Sequence, residues 1–163
     1  SESRRVLLER YGDGCGRVLV GSQSFWEGID FPGAALQCVL IDKLPFPPPH
    51  DPLVEARVRL LQAQGRNTFV EYFVAEATIA LKQGAGRLIR SETDRGLLVV
   101  CDPRLATGSY GSRMLAALPP MRRLADETEA LVWLDELGAA DETVDRVTTV
   151  ATSAGREPRS RVQ

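Results

Sequence analysis

The chain has 163 residues, 44% of them hydrophobic and 26% charged, enough for one globular domain with a core and short of two. A net charge of −2 and a pI near 5.5 exclude an overall basic footprint, so any nucleic-acid contact must rest on a local patch. No apolar run approaches the ~18 residues of a membrane span, and no signal-peptide pattern is present.

Cys15, Cys38 and Cys101 lie far apart with no CxxC or Cys/His spacing, which fits a reducing cytoplasm rather than a disulfide scaffold. Cys38 and Cys101 fall inside apolar runs and read as small buried side chains. The chain opens at Ser1 rather than Met and reads as a piece of a longer protein.

A short helix opens the chain, and "RVLV" (17–20) follows as a strand apolar enough to be buried on both faces. "GSQSFWEGID" (21–30) comes next. Ser22, Ser24 and the amides near Gly21 and Gly28 can take phosphate oxygens, and Asp30 can accept from a ribose hydroxyl or hold an arginine. A plain Ser/Gly turn capped by Asp30 accounts for the same residues. Phe25 and Trp26 can stack on bases or pack beneath the loop. "LQCVLI" (36–41) is the second apolar strand, and Lys43 just beyond it either meets a phosphate or is solvated.

"LPFPPPHDP" (44–52) is too rich in proline for helix or strand and must be a loop, and its His50 has no acid or nucleophile beside it. Asp51 and Pro52 read as the N-cap and first residue of a helix that Gly65 stops. "TFVE" (68–71) has capping-box spacing and opens a longer helix towards residue 89. "GLLVVC" (96–101) is the third apolar strand, followed by "DPRL". "DETE" (126–129) opens a last helix that Gly138 should end, and "DETV" (141–144) reads as another cap. The polar tail 153–163 should fray.

Strands alternating with helices predict an α/β fold with a parallel sheet. In such sheets ligands gather beyond the carboxyl ends of the strands. Within the long helix, Val70, Val74, Ala77, Leu81, Ala85 and Leu88 share one apolar face. Continued helical winding would bring Gln83, Arg87 and Arg90 within roughly 60° of one another on the opposite side. Two guanidinium forks there suit phosphate oxygens, although a solvated basic face has the same pattern. Gly84 and Gly86 each cost a helix roughly 1 kcal/mol relative to alanine, which asks for a compensating close approach. The chain has no GxxxxGK[ST], and "GDGCG" (12–16) lacks a preceding strand, so it cannot cradle a nucleoside triphosphate by itself in the usual way.

"GSQSFWEGIDFPG", "VLIDKLPFPPPHDP" and "ALKQGAGRLIRSETDRGLLVVCDPRL" together resemble the second RecA-like domain of DinG- and YoaA-type helicases, superfamily 2 proteins related to XPD. The likeness covers about residues 3–135. The first block looks like helicase motif V and "QGAGRLIR" like motif VI.

The resemblance implies a RecA-like parallel sheet over residues 1–138, without motifs I–IV, and a flexible C-terminal extension over 139–163. It implies a bacterial, cytoplasmic enzyme that unwinds DNA 5′→3′ with ATP. ATP and Mg²⁺ would be held mainly by a first RecA-like domain of the same polypeptide, so this piece alone should be inactive.

By the same likeness Arg87 and Arg90 are the motif VI arginines, with Gln83, Gly86, Gly28 and Asp30 on the nucleotide side. Ser22, Ser24 and Lys43 lie near single-stranded or forked DNA. An iron–sulfur cluster would belong only to the part of such proteins that is missing here. A free-standing RecA-like module that binds single strands or a protein, without catalysis, is the alternative reading.

Overall fold

Two of the apolar runs pair at the centre of the molecule. The structure is a computed structural model describing residues 4–12, 18–23, 36–89, 94–139 and 149–152. After helix α1 (Arg4–Gly12), Cys38–Ile41 forms strand β1 and Leu97–Val100 forms β2. The two run parallel, with Cys38 opposite Leu97 and Ile41 opposite Val100.

Successive residues of β2 point to opposite faces of the sheet. Leu98 and Val100 join Val74, Ala77, Leu81 and Ala85 in one buried cluster, whereas Leu97 joins Leu124, Ala130 and Trp133 in another. Both faces are therefore covered, as an uninterrupted aliphatic strand requires.

Helix α2 (Pro52–Ala63) begins as its sequence dictates. Asp51 is extended, its Oδ1 accepts from the amides of Leu53 and Val54 at 2.8 and 3.3 Å, and Pro52 occupies the first turn, where no amide is needed. Gly65, at φ +69°, turns the chain out of the helix through the left-handed region.

The long helix starts differently from the expected "TFVE" box. Thr68 makes no capping bond. Asn67 accepts from the Val70 amide at 3.1 Å, and Glu71 reaches back to the Asn67 amide at 3.1 Å. The reciprocal cap is thus built one residue earlier, because the Asn67 amide side chain is the better-placed acceptor. The first turns, Phe69–Val74, are π-helical, and Ala75–Ala85 continues as helix α3. Val74, Ala77, Leu81, Ala85 and Leu88 are buried, so the expected apolar stripe faces the core.

Helices α4 (Arg104–Thr107) and α5 (Gly111–Ala116) follow β2. Strand β3 (Arg122–Arg123) leads to α6 (Glu127–Ala139), whose start is capped by Asp126 accepting from the Glu129 amide at 2.9 Å. Strand β4 (Thr149–Thr152) completes a sheet of order β1-β2-β4-β3, with every described pairing parallel.

Two expectations change. Val18–Val20 form no strand, and Val18 and Val20 are each 88% exposed. Aliphatic character supplies strand propensity, but a strand forms only where a neighbouring strand takes up its backbone groups. The stretch from 139 is not only an appendage, because β4 lies between β2 and β3. Its Thr149 stands opposite both Leu97 and Arg122. Short, polar-flanked "TVAT" carries no local signal of an interior strand.

Candidate functional site

Because the sheet is parallel, it has one edge of amino ends and one of carboxyl ends, and the candidate residues divide between them. At the amino edge, α3 stops at Ala85 rather than near residue 89. The Gly86 amide still reaches the Lys82 carbonyl at 2.9 Å, but the Arg87 and Leu88 amides bond three residues back, to Gly84 and Ala85, at 3.2 and 3.1 Å. The chain tightens into a turn whose anchor is Leu88, buried against Gly96. A Cβ at Gly96 would stand 2.8 Å from Leu88 Cδ2 and 3.3 Å from the Gln37 carbonyl, so only glycine admits this approach. Gly96 immediately precedes β2, which fixes the turn at the amino ends of the strands.

Gln83 is exposed on the last turn of α3, Gly86 is exposed at the C-cap, and Arg87 is half-buried in the turn. The expected single helical face for Gln83, Arg87 and Arg90 is therefore corrected. Helical winding ends between Gln83 and Arg87, so a tight turn and not a 100° repeat sets their relation. Arg90 lies outside the described residues. Of the two glycines, Gly84 is buried within the fold and answers to packing, whereas Gly86 is open to solvent. The last carbonyls of α3 carry partial negative charge, so a phosphate can approach here only by way of a cation such as Arg87.

At the carboxyl edge the segments after β1 and β2 are tied together by Asp102, a residue the sequence gave no reason to single out. Its carboxylate is 4% exposed and accepts from the Leu44 amide at 2.9 Å. It also accepts from the Arg104 amide at 3.0 Å and from the Arg104 guanidinium Nε and Nη2 at 2.9 and 2.6 Å. Hydrogen bonds from the Arg104 side chain outweigh burial and hold the Asp102 carboxyl at about 2. The guanidinium in turn lies over the Phe46 ring at 5.3 Å. The one legible hint was "DPRL" after an apolar strand, where an Asp can accept from its own Arg two residues on.

Lys43 is exposed at this carboxyl edge, so the structure separates it from Gln83, Gly86 and Arg87 by the length of the strands, roughly 13 Å or more. Ser22 is exposed on the segment 18–23. Ser24, Gly28 and Asp30 lie outside the described residues, as do Phe25 and Trp26.

Cys38 and Cys101 are free thiols, and burial pushes the Cys38 thiol up, away from the thiolate that metal binding needs. Two thiols do not furnish the four ligands of an iron–sulfur cluster. Among the described residues no group of three or more His, Cys, Asp or Glu is placed to hold a metal, and no helix is long and apolar enough to cross a membrane.

Residues 1–121 match the helicase C-terminal domain family, a span that contains every candidate residue above. The ATP-dependent helicase DinG of Mycobacterium tuberculosis is 41% identical over 140 residues, 86% of this chain and 21% of that protein. The ATP-dependent DNA helicase YoaA of Escherichia coli is 46% identical over 132 residues, 81% of this chain and 21% of that protein. A Bacillus subtilis relative named 3′-5′ exonuclease DinG is 43% identical over 102 residues, 63% of this chain and 11% of that protein. The chain thus spans about a fifth or less of the curated relatives it matches.

Proposed function

The chain belongs to the helicase C-terminal domain family, and from that premise we propose that it is the second motor domain of an ATP-dependent DNA helicase of the DinG and YoaA type. The observation that carries the reading is the turn after α3. It holds Arg87 directly beyond Gln83 on the rim of the sheet, anchored through Leu88 to the core. A stiff helix that ends in a cation at the surface is what a site completed by another domain requires.

In this reading ATP and Mg²⁺ sit mainly on a first RecA-like domain of the same polypeptide. Arg87 and Arg90 reach the phosphates across the interface and stabilise charge on the transferring phosphoryl group. Gln83 approaches the γ-phosphate, and Gly86 leaves the backbone accessible beside it. Gly28 and Asp30 line the nucleotide side. Ser22, Ser24 and Lys43 contact a single strand of DNA that the motor tracks 5′→3′ in a bacterial cytoplasm.

Phosphoryl transfer is catalysed by positioning and charge stabilisation, and an arginine supplied across an interface contributes ~10³–10⁵ in rate. A group supplied by a second domain also makes hydrolysis conditional on closure, which is how hydrolysis becomes movement.

The test is Arg87→Ala in the full-length protein. DNA-stimulated ATP hydrolysis should fall by about 10³-fold while nucleotide binding stays within a few-fold. Turnover at the wild-type rate would remove Arg87 from the reaction.

A further inference from the structure

The described residues carry an aromatic cluster that the reading above leaves unused. Phe46 and Phe69 stack with centroids 6.1 Å apart and planes at 23°. Tyr110 meets both edge-on, 5.8 Å from Phe46 and 5.5 Å from Phe69. Phe46 and Tyr110 pack against the core, so they fix the cluster from beneath, whereas Phe69 is 48% exposed. Half a phenylalanine left in water is unfavourable for the chain taken alone.

Its backbone is unusual as well, since Phe69 opens the π-helical stretch, a winding that is rare and concentrates at functional sites. Beside the rings the half-exposed Arg104 guanidinium lies over Phe46, locked by its two-pronged pairing with Asp102. Phe46 follows β1 and Tyr110 follows β2, so the cluster lies at the carboxyl edge, where Lys43 is exposed.

We propose that Phe69, backed by Phe46 and Tyr110 and flanked by Arg104 and Lys43, is a stacking platform for a base of single-stranded nucleic acid. The proposal rests on the reading of the chain as a helicase motor domain and adds a binding element to it. A ring held by two others offers a π-face that every base can cover without sequence preference. Cations beside it suit the phosphates on either side of that base. The shallow cavities lined by Leu118 and Pro119 and by Arg57 and Tyr72 include none of the three rings, so the patch is a platform and not a groove for an apolar peptide. It also lies on the edge opposite the Arg87 turn. From Phe69 to Ala85 the π-helical stretch and α3 span about 25 Å, which keeps base and nucleotide on separate surfaces of one rigid rod.

The experiment measures binding of a fluorescein-labelled oligothymidylate to the full-length protein. Phe69→Ala should weaken binding about 10-fold, and Phe69→Trp should restore it to within about twofold. ATP hydrolysis without DNA should stay unchanged in both. Ile79→Ala, which removes another exposed apolar side chain of α3, should leave oligonucleotide binding intact. If Phe69→Ala lowers the folded fraction, Phe69→Leu, which keeps bulk and loses the π-face, must show the same loss of affinity.

Wild-type affinity in Phe69→Ala or Phe69→Leu overturns the platform and leaves the helicase reading standing. A wild-type protein that binds no oligonucleotide overturns both. Loss of DNA-stimulated hydrolysis in Arg87→Ala with DNA affinity kept shows the two edges failing independently.

Discussion

At the scale of single residues, Asp102 makes the clearest quantitative claim. Its carboxyl titrates at about 2 in the folded chain against 3.8 for a free carboxyl, because the Arg104 side chain hydrogen-bonds the charged form. A depressed folded pKa stabilises the fold at pH values above the unfolded pKa, and that contribution is lost as pH falls from about 4 towards 2. The difference corresponds to about 2 kcal/mol. Asp102→Asn keeps the volume and one acceptor but removes the charge. It should therefore destabilise the protein by about 2 kcal/mol near pH 7. Urea unfolding should show the gap to wild type closing below about pH 4, and a gap independent of pH would mean that the charge is not the cause.

Arg87 and Gly96 show the other side of residue-scale reading. The identity of Arg87 was legible as a phosphate ligand. The reason it sits where it does is a glycine nine positions later, whose missing side chain admits Leu88.

Among the elements, α3 and the π-helical turns before it carry most of the function proposed here. Their apolar stripe was readable from spacing alone, because burial against a sheet selects one face whatever the local winding. The cap was not. Thr68 and Glu71 have capping-box spacing, yet Asn67 holds the helix start and Glu71 closes on it from four positions along.

That difference predicts opposite outcomes for neighbouring substitutions. Asn67→Ala should cost about 1 kcal/mol, and Thr68→Ala much less, since its hydroxyl caps nothing. In thermal melts the first should lower the midpoint by roughly 2–4 °C. Equal shifts for the two variants would contradict this cap. At the other end of α3, the early stop at Ala85 puts Arg87 in a turn, which frees its guanidinium direction from helix geometry.

For the molecule as a whole, the parallel sheet sorts the chemistry onto two edges. Gln83, Gly86 and Arg87 occupy the amino edge, and Lys43, Asp102, Arg104 and the aromatic cluster occupy the other. The rule that ligands gather beyond carboxyl ends thus guided attention to one edge only. The sheet also draws in the stretch beyond residue 139, since β4 stands between β2 and β3 and is the described partner of β3. Ending the chain after Ala139 should accordingly lower the thermal midpoint by more than the Asn67→Ala variant does. An unchanged midpoint would show that β4 adds nothing to the sheet.

The sequence by itself determined the α/β class, the strands at 38–41 and 97–100, the cap of α2, the buried stripe of α3 and the residue types facing a nucleotide. Each of these follows from local spacing, propensity or side-chain chemistry, which a linear string preserves. Only the tertiary structure decided that 18–20 stay unpaired, that 149–152 enter the sheet interior, that Asp102 ties two strand ends together and that three aromatic residues from distant segments meet. Those outcomes depend on which partners arrive in space, and pairing across 50 or more residues leaves no periodicity for a sequence to display.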